Sequence, residues 1–202
     1  MSFQWIFDKA SNLSINKQPT VAQSVTRNNR VSAVVKGGDT YRFTVTMPAG
    51  LPYEENRSYI EAYEALGRYT VDPVSISQSY ITGYRGVATN TTGWTAYVSA
   101  TQPAKIHSIS PVVTPTNGDK ILAAGDYVQL GTGNTYTVVE DVVWPNSTAT
   151  LHRNIHETGA VTLTLGSAVT WDVICTSMPA WNIFDYNLVN WQGEFVFYEV
   201  VR

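Results

Sequence analysis

Only one cysteine, Cys175, occurs in the 202 residues, so no internal disulfide can form, which fits synthesis in a reducing compartment. Charge is scarce as well: 14% of residues are charged against 44% hydrophobic, a balance that excludes a disordered tail. The net charge is only -3 and the basic residues are scattered, which leaves no electrostatic footprint for gripping phosphates. No apolar run approaches the ~20 residues that a membrane-crossing helix needs. The opening MSFQWIFDKASN has neither a basic leader nor a small-residue cleavage site, so no signal peptide is expected. G-x-S-x-G, a phosphate loop and G-x-G-x-x-G are all missing, and GTGN precedes no helical pattern.

What is present favours strands. Aromatics reach 12%, and Gly and Pro punctuate runs rich in Thr and Val. VSAVV (Val31 to Val35) and YRFTVTM (Tyr41 to Met47) flank KGGD and read as two strands joined by a turn. In the second, Tyr41, Phe43, Val45 and Met47 share one face, which points to a core. YEENRSYIEAYEALGRY then reads as the one convincing helix. Glu54 and Glu55 lie in its first turn, Tyr59, Tyr63 and Leu66 follow at helical spacing, and Gly67 ends it.

Composition shifts near Val87. Residues 86–167 carry three Lys or Arg and five Asp or Glu, with short alternating segments separated by NTTG, PTNGD, AAGD, GTGN and PNST. That rhythm predicts a small closed β-barrel of about five strands, OB-like in size. The expected organisation is a discontinuous domain, 1–85 and 168–202, interrupted by the barrel at 86–167. The joints near Gly86 and Gly166 are then expected to be exposed crossings with few contacts between the halves.

The end of the chain, NLVNWQGEFVFYEVVR, has apolar residues on both faces. Phe195, Phe197 and Val201 alternate with Val196, Tyr198 and Val200, so both faces of this strand are expected to be covered. Cover comes from the chain's own core or from another subunit. Trp181, Trp191, Phe195, Phe197 and Tyr198 are therefore the candidate core or subunit-interface residues, since aromatics concentrate at interface centres.

Catalytic signals are thin. His152 and His156 have a four-residue spacing that suits metal binding on a helix, but TATLHRNIHETG is β-patterned and lacks the H-E-x-x-H order. His107 has no companion. Asp119, Asp126, Glu140 and Asp141 each sit beside a turn signal, where carboxylates serve local hydrogen bonds. No catalytic, cofactor or metal residue is expected, and the chain is not expected to be an enzyme.

Taken together, WIFDKA read as a strand, FTVTMPAGLPYEENRSYIEAYEAL, the inserted ILAAGDYVQLGTGNTYTVVEDV and the closing PAWNIFDYNLVNWQGEFVFYEVV resemble the distal tail proteins of long-tailed bacteriophages over most of the chain. The resemblance implies a mainly β, tail-tube-like sandwich or barrel with one packed helix, carrying an OB-like insertion. It implies a virion protein, made in the host cytoplasm, that forms a ring of about six copies. Such a ring joins the tail tube to the baseplate or tip hub, with DNA passing through its bore, and the insertion is placed to hold side fibres or a receptor-binding protein. Arg27, Arg30 and Lys36 depart from that picture: they face a neighbouring copy, or their segment does not line the bore. The alternative is a carbohydrate-binding module that stacks sugars on Trp94, Tyr97 and Trp144, and a glycan hydrolase with a paired-carboxylate cleft is weaker still.

Overall fold

A computed structural model describes residues 3–17, 21–25, 31–35, 40–66, 70–88, 90–99, 101 and 104–201. The chain is mainly β. It opens with helix α1 (Gln4–Asp8), strands β1 (Asn12–Asn16), β2 (Val21–Val25), β3 (Val31–Val35), β4 (Arg42–Thr46) and β5 (Leu51–Pro52), helix α2 (Tyr53–Leu66), strand β6 (Asp72–Ser75) and helix α3 (Ser79–Thr82). The middle supplies β7 (Thr95–Val98), β8 (Lys105–Ser110), β9 (Lys120–Leu122), β10 (Tyr127–Leu130), β11 (Thr135–Thr137), β12 (Val142–Val143), β13 (Ala149–Thr150) and β14 (Gly159–Leu165). After a single 3-10 turn come β15 (Thr170–Ser177), β16 (Trp181–Phe184), β17 (Leu188–Trp191) and β18 (Phe195–Glu199).

Five strands form an antiparallel sheet in the order β1-β4-β18-β15-β6. The terminal strand is thus central, with Phe197 opposite Phe43 on one side and Cys175 on the other. Strict alternation decides its faces. Phe43, Val45, Phe195, Phe197, Trp171, Val173 and Cys175 are buried together, under helices α1 and α2. Helix α2 packs Asn56, Ile60 and Tyr63 inward at four- and three-residue steps. Tyr59, expected on that face, is half exposed and stacks on Trp5 at 5.5 Å. The side chain of Leu66 lies outside what is described.

Two expectations for this part differ from the structure. WIFDKA is a helical turn rather than a strand, because Trp5, Ile6 and Phe7 are all buried in succession, which a half-buried strand cannot achieve. Strand β3 pairs with β2, Val31 opposite Val25, whereas β4 is claimed by β1 and β18. A central strand needs a partner on each side, and here distant partners override the neighbour in sequence. The KGGD turn, Arg27, Arg30 and Lys36 lie outside the described residues.

The middle segment forms a six-stranded sheet, β11-β10-β14-β7-β8-β13. A bridge between Val138 and Leu151, flanked by bonds from Val139 N–H to Thr150 O and from His152 N–H to Thr137 O, ties the last strand back to the first. The ladder therefore closes as a barrel. It has six strands, counting two-residue β13, rather than five. Its core gathers Val128, Leu130, Tyr136, Val138, Leu151, Leu163 and Leu165, with Val161 packed at the edge. Phe43, Tyr63 and Phe197 belong to the other buried cluster.

The joints between the two parts are not exposed crossings. Gly166 is buried at a φ of +67°, and the backbone N of Tyr84 would lie 2.9 Å from any Cβ added there. Gly86 is packed against the same tyrosine, whose hydroxyl donates to Ile121 O at 2.6 Å. Tyr127, from the barrel, packs against Trp171 at 5.5 Å and belongs to the sheet's core. The chain leaving α3 and the 3-10 turn after β14 pass side by side and bury each other, which pattern reading treats as loop. Gly166→Ala is expected to destabilise the chain by about 1–3 kcal/mol, since it needs both a left-handed backbone and space that Tyr84 occupies. A urea midpoint unchanged from the parent would show that this crossing is loosely packed.

Candidate functional site

The five aromatic candidates fall into two groups. Trp191, Phe195 and Phe197 are buried in the chain's own core: Phe197 meets Phe3 at 5.3 Å and Phe7 at 5.0 Å, and Phe195 meets Tyr63 at 5.6 Å. They are core residues and present no surface. Tyr198 points to the other face of the sheet, partly exposed, with the Arg42 guanidinium 5.9 Å from its ring centre. Val196 and Ile174 accompany it, half-buried. The cover expected on both faces is therefore present on one only.

Trp181 leads to the more exposed surface. It is half-buried, stacks on Tyr53 at 5.5 Å and donates its indole N–H to Glu64 Oε1 at 2.8 Å. It starts β16, which pairs with β17, which pairs with β5 in a three-stranded sheet. Beyond it Ile183 is 47% exposed, Phe184 40% exposed, and Tyr186 is fully exposed at the hairpin tip. Asp185 and Tyr186 have φ of 44° and 72°, two successive left-handed residues without a glycine. Holding a tyrosine there costs about 1–2 kcal/mol of backbone strain.

The hairpin is held along its second strand, up to the residue after the tip. Tyr53 N–H donates to Asn187 O at 2.7 Å and Gly50 N–H to Val189 O at 3.0 Å, so the start of α2 and the hairpin move together. Alongside the hairpin, α2 exposes Glu54, Glu55, Glu61 and Glu64 against Arg57, with Glu64 bonded to Trp181 at the hairpin's start. An exposed apolar hairpin end thus accompanies a largely acidic helix surface. Sequence reading singled out Trp181 but missed Ile183, Phe184 and Tyr186. The signal was an apolar run turning through Asp-Tyr-Asn with no glycine to soften it.

The barrel's polar candidates are dispersed. Asp119 accepts from Thr116 N–H at 2.8 Å, Glu140 from the Thr150 hydroxyl at 2.6 Å, and Asp141 from Ala124 N–H at 2.8 Å. Lys120 lies 2.6 Å from Asp141 and, with that backbone bond, holds its carboxyl below the usual range. Asp126 is buried, and burial pushes its carboxyl up despite bonds from Ala123 and Arg85 N–H groups. His152 Nδ1 accepts from Thr137 N–H at 3.0 Å, its ring 5.3 Å from Tyr41, whereas His156 is exposed. His152 sits at a bend and His156 on irregular chain, so no helical turn brings this spacing together as a ligand pair, and only His156 is open to solvent. Among the described residues no three His, Cys, Asp or Glu gather as a metal site.

Of the sugar-stacking candidates, Trp94 is fully buried in the barrel core and cannot receive a ligand. Trp144 is partly buried against that core. Tyr97 is half exposed, 6.2 Å from His107. No continuous aromatic strip joins the three.

Burial raises the phenols of Tyr41, Tyr63 and Tyr136 above the usual tyrosine range, and the Glu157 carboxylate adds to it at Tyr136. A phenol whose folded value exceeds its unfolded value of about 10 keeps its proton when the unfolded chain has lost it. Its contribution is full below that pH and lost as pH rises. Alkaline titration followed at the tyrosinate band should show these three ionising only together with loss of near-ultraviolet circular dichroism. Smooth ionisation of every tyrosine in an intact fold would contradict their burial.

No helix among the described residues is long and apolar enough to cross a membrane. No family model matches the chain, and no curated protein matches it.

Proposed function

We propose that this chain is a structural virion protein of a bacteriophage tail, forming a closed ring of about six copies that joins the tail tube to the baseplate or tip hub. The resemblance to distal tail proteins brings the reading, and the exposed β16–β17 tip is the observation that carries it. Three large apolar side chains, Ile183, Phe184 and Tyr186, are exposed around the end of one hairpin, Ile183 and Phe184 on opposite faces of β16. Apolar groups exposed together at a hairpin end mark a surface made to be covered by another protein. A ring also needs a second, different surface on each copy, because head-to-tail contacts are heterologous. The outer sheet face around Tyr198, Val196 and Arg42 suits that role.

In this reading 1–85 and 168–202 form the ring and the barrel at 86–167 projects from it, placed to hold side fibres or a receptor-binding protein. The chemistry is contact rather than turnover, and DNA passes through the bore without sequence-specific contacts. Carbohydrate binding is the weaker reading, since Trp94 is a core residue.

Negative-stain microscopy and mass photometry of the concentrated protein test this. Closed rings of about six copies are expected, or rings that form only on a tail-tube template. A tail reconstruction with no ring at this position would refute it.

A further inference from the structure

Beside the Tyr127–Trp171 contact, the barrel and the five-stranded sheet also meet across a buried polar seam. Arg153, from the barrel, donates from Nη1 to Glu199 Oε2 and from Nη2 to Glu199 Oε1, both at 2.6 Å. Nη2 also donates to Thr135 O at 2.8 Å. The two side chains are 3% and 2% exposed. The guanidinium lies between Tyr136, from the barrel, and Tyr41, from the sheet, at 5.0 and 5.5 Å from their ring centres. Around it, the Tyr41 and Thr137 hydroxyls are 2.5 Å apart, Lys17 Nζ donates to Thr137 Oγ1 at 3.0 Å, and the Thr135 hydroxyl donates to Thr170 O at 2.8 Å.

This is an unusual way to join two β units for stability alone. Desolvating both charges offsets most of their attraction, and a well-packed apolar pair of similar volume does as well or better. What a bidentate fork adds is direction: two parallel bonds fix distance and angle together, which apolar contact does not. We propose that the Arg153–Glu199 pair is an orientation latch, holding the barrel at one angle to the sheet so that the chain behaves as a single rigid body. The inference stands on the seam and does not depend on the ring reading.

A distance measurement between spin labels tests it. Labels at Asn117→Cys on the barrel and Glu61→Cys on α2 are both exposed, and Cys175 is buried from the reagent. With the seam intact, one narrow distance is expected. In R153M/E199L, the chain should stay folded by near-ultraviolet circular dichroism with an unfolding midpoint near that of the parent, while the distance distribution broadens or splits. R153K, which keeps the charge but loses the fork, should broaden it as well. A narrow distribution retained in either folded variant would show that the surrounding contacts set the angle. A broad distribution with the seam intact overturns the proposal too, as does failure of both variants to fold, which would make the pair a requirement of folding rather than of orientation.

Discussion

Replacing Arg153 with Ala is expected to cost about 3–5 kcal/mol, read as a fall in the urea midpoint. The size follows from what is left behind. The Glu199 side chain is 2% exposed, and its two oxygens each lose a bond from the guanidinium. Thr135 O loses its donor too, and Tyr41 and Tyr136 lose the cation between them. The buried carboxylate keeps only the bond from Tyr41 N–H at 3.3 Å, so most of its desolvation penalty is left uncompensated. Adding Glu199→Leu to the same protein should restore most of the loss, because the penalty belongs to the orphaned charge. A loss below about 1 kcal/mol on Arg153→Ala would place the pair with ordinary exposed ion pairs, meaning that water reaches the seam.

The second large effect concerns assembly. Phe184→Ser with Tyr186→Ser should leave the monomer's stability within about 0.5 kcal/mol of the parent, because both side chains are exposed. Ring formation should need about a thousandfold more protein, since two hot-spot aromatics at about 2 kcal/mol each amount to three decades. Tyr186→Gly separates strain from contact. Glycine relieves the left-handed backbone at φ 72° while removing the ring, so the monomer should gain about 1 kcal/mol and still assemble poorly. Rings from the double variant at the parent's concentration would remove the hairpin tip from the interface.

Much of the fold was legible in the sequence for a physical reason. Period-two alternation in YRFTVTM, TWDVICTS and EFVFYE maps directly onto buried and exposed faces, because a strand has only two sides. Helix α2, Tyr53–Leu66, was equally legible, with its acidic first turn. Its facing was not: Ile60 took the inward position and Tyr59 went outward to meet Trp5. The difference of one residue is a rotation of about 100° on a helix, which only the shape of the sheet beneath can choose.

The sequence by itself therefore determined the class, mainly β with one long helix, and which face of each alternating strand is apolar. Tertiary structure alone decided which strands pair, since backbone hydrogen bonds are the same for every sequence and β4 could join β3 as well as β18. It also decided the fate of the aromatic candidates. Trp191, Phe195 and Phe197 went to the core, while Ile183, Phe184 and Tyr186 stayed in water on a hairpin held through its second strand. Burial is a property of the space between elements, not of a residue's own chemistry. The Arg153–Glu199 pair shows this most directly: 46 positions separate the two, and nothing local marks either for the interior until barrel and sheet are placed together.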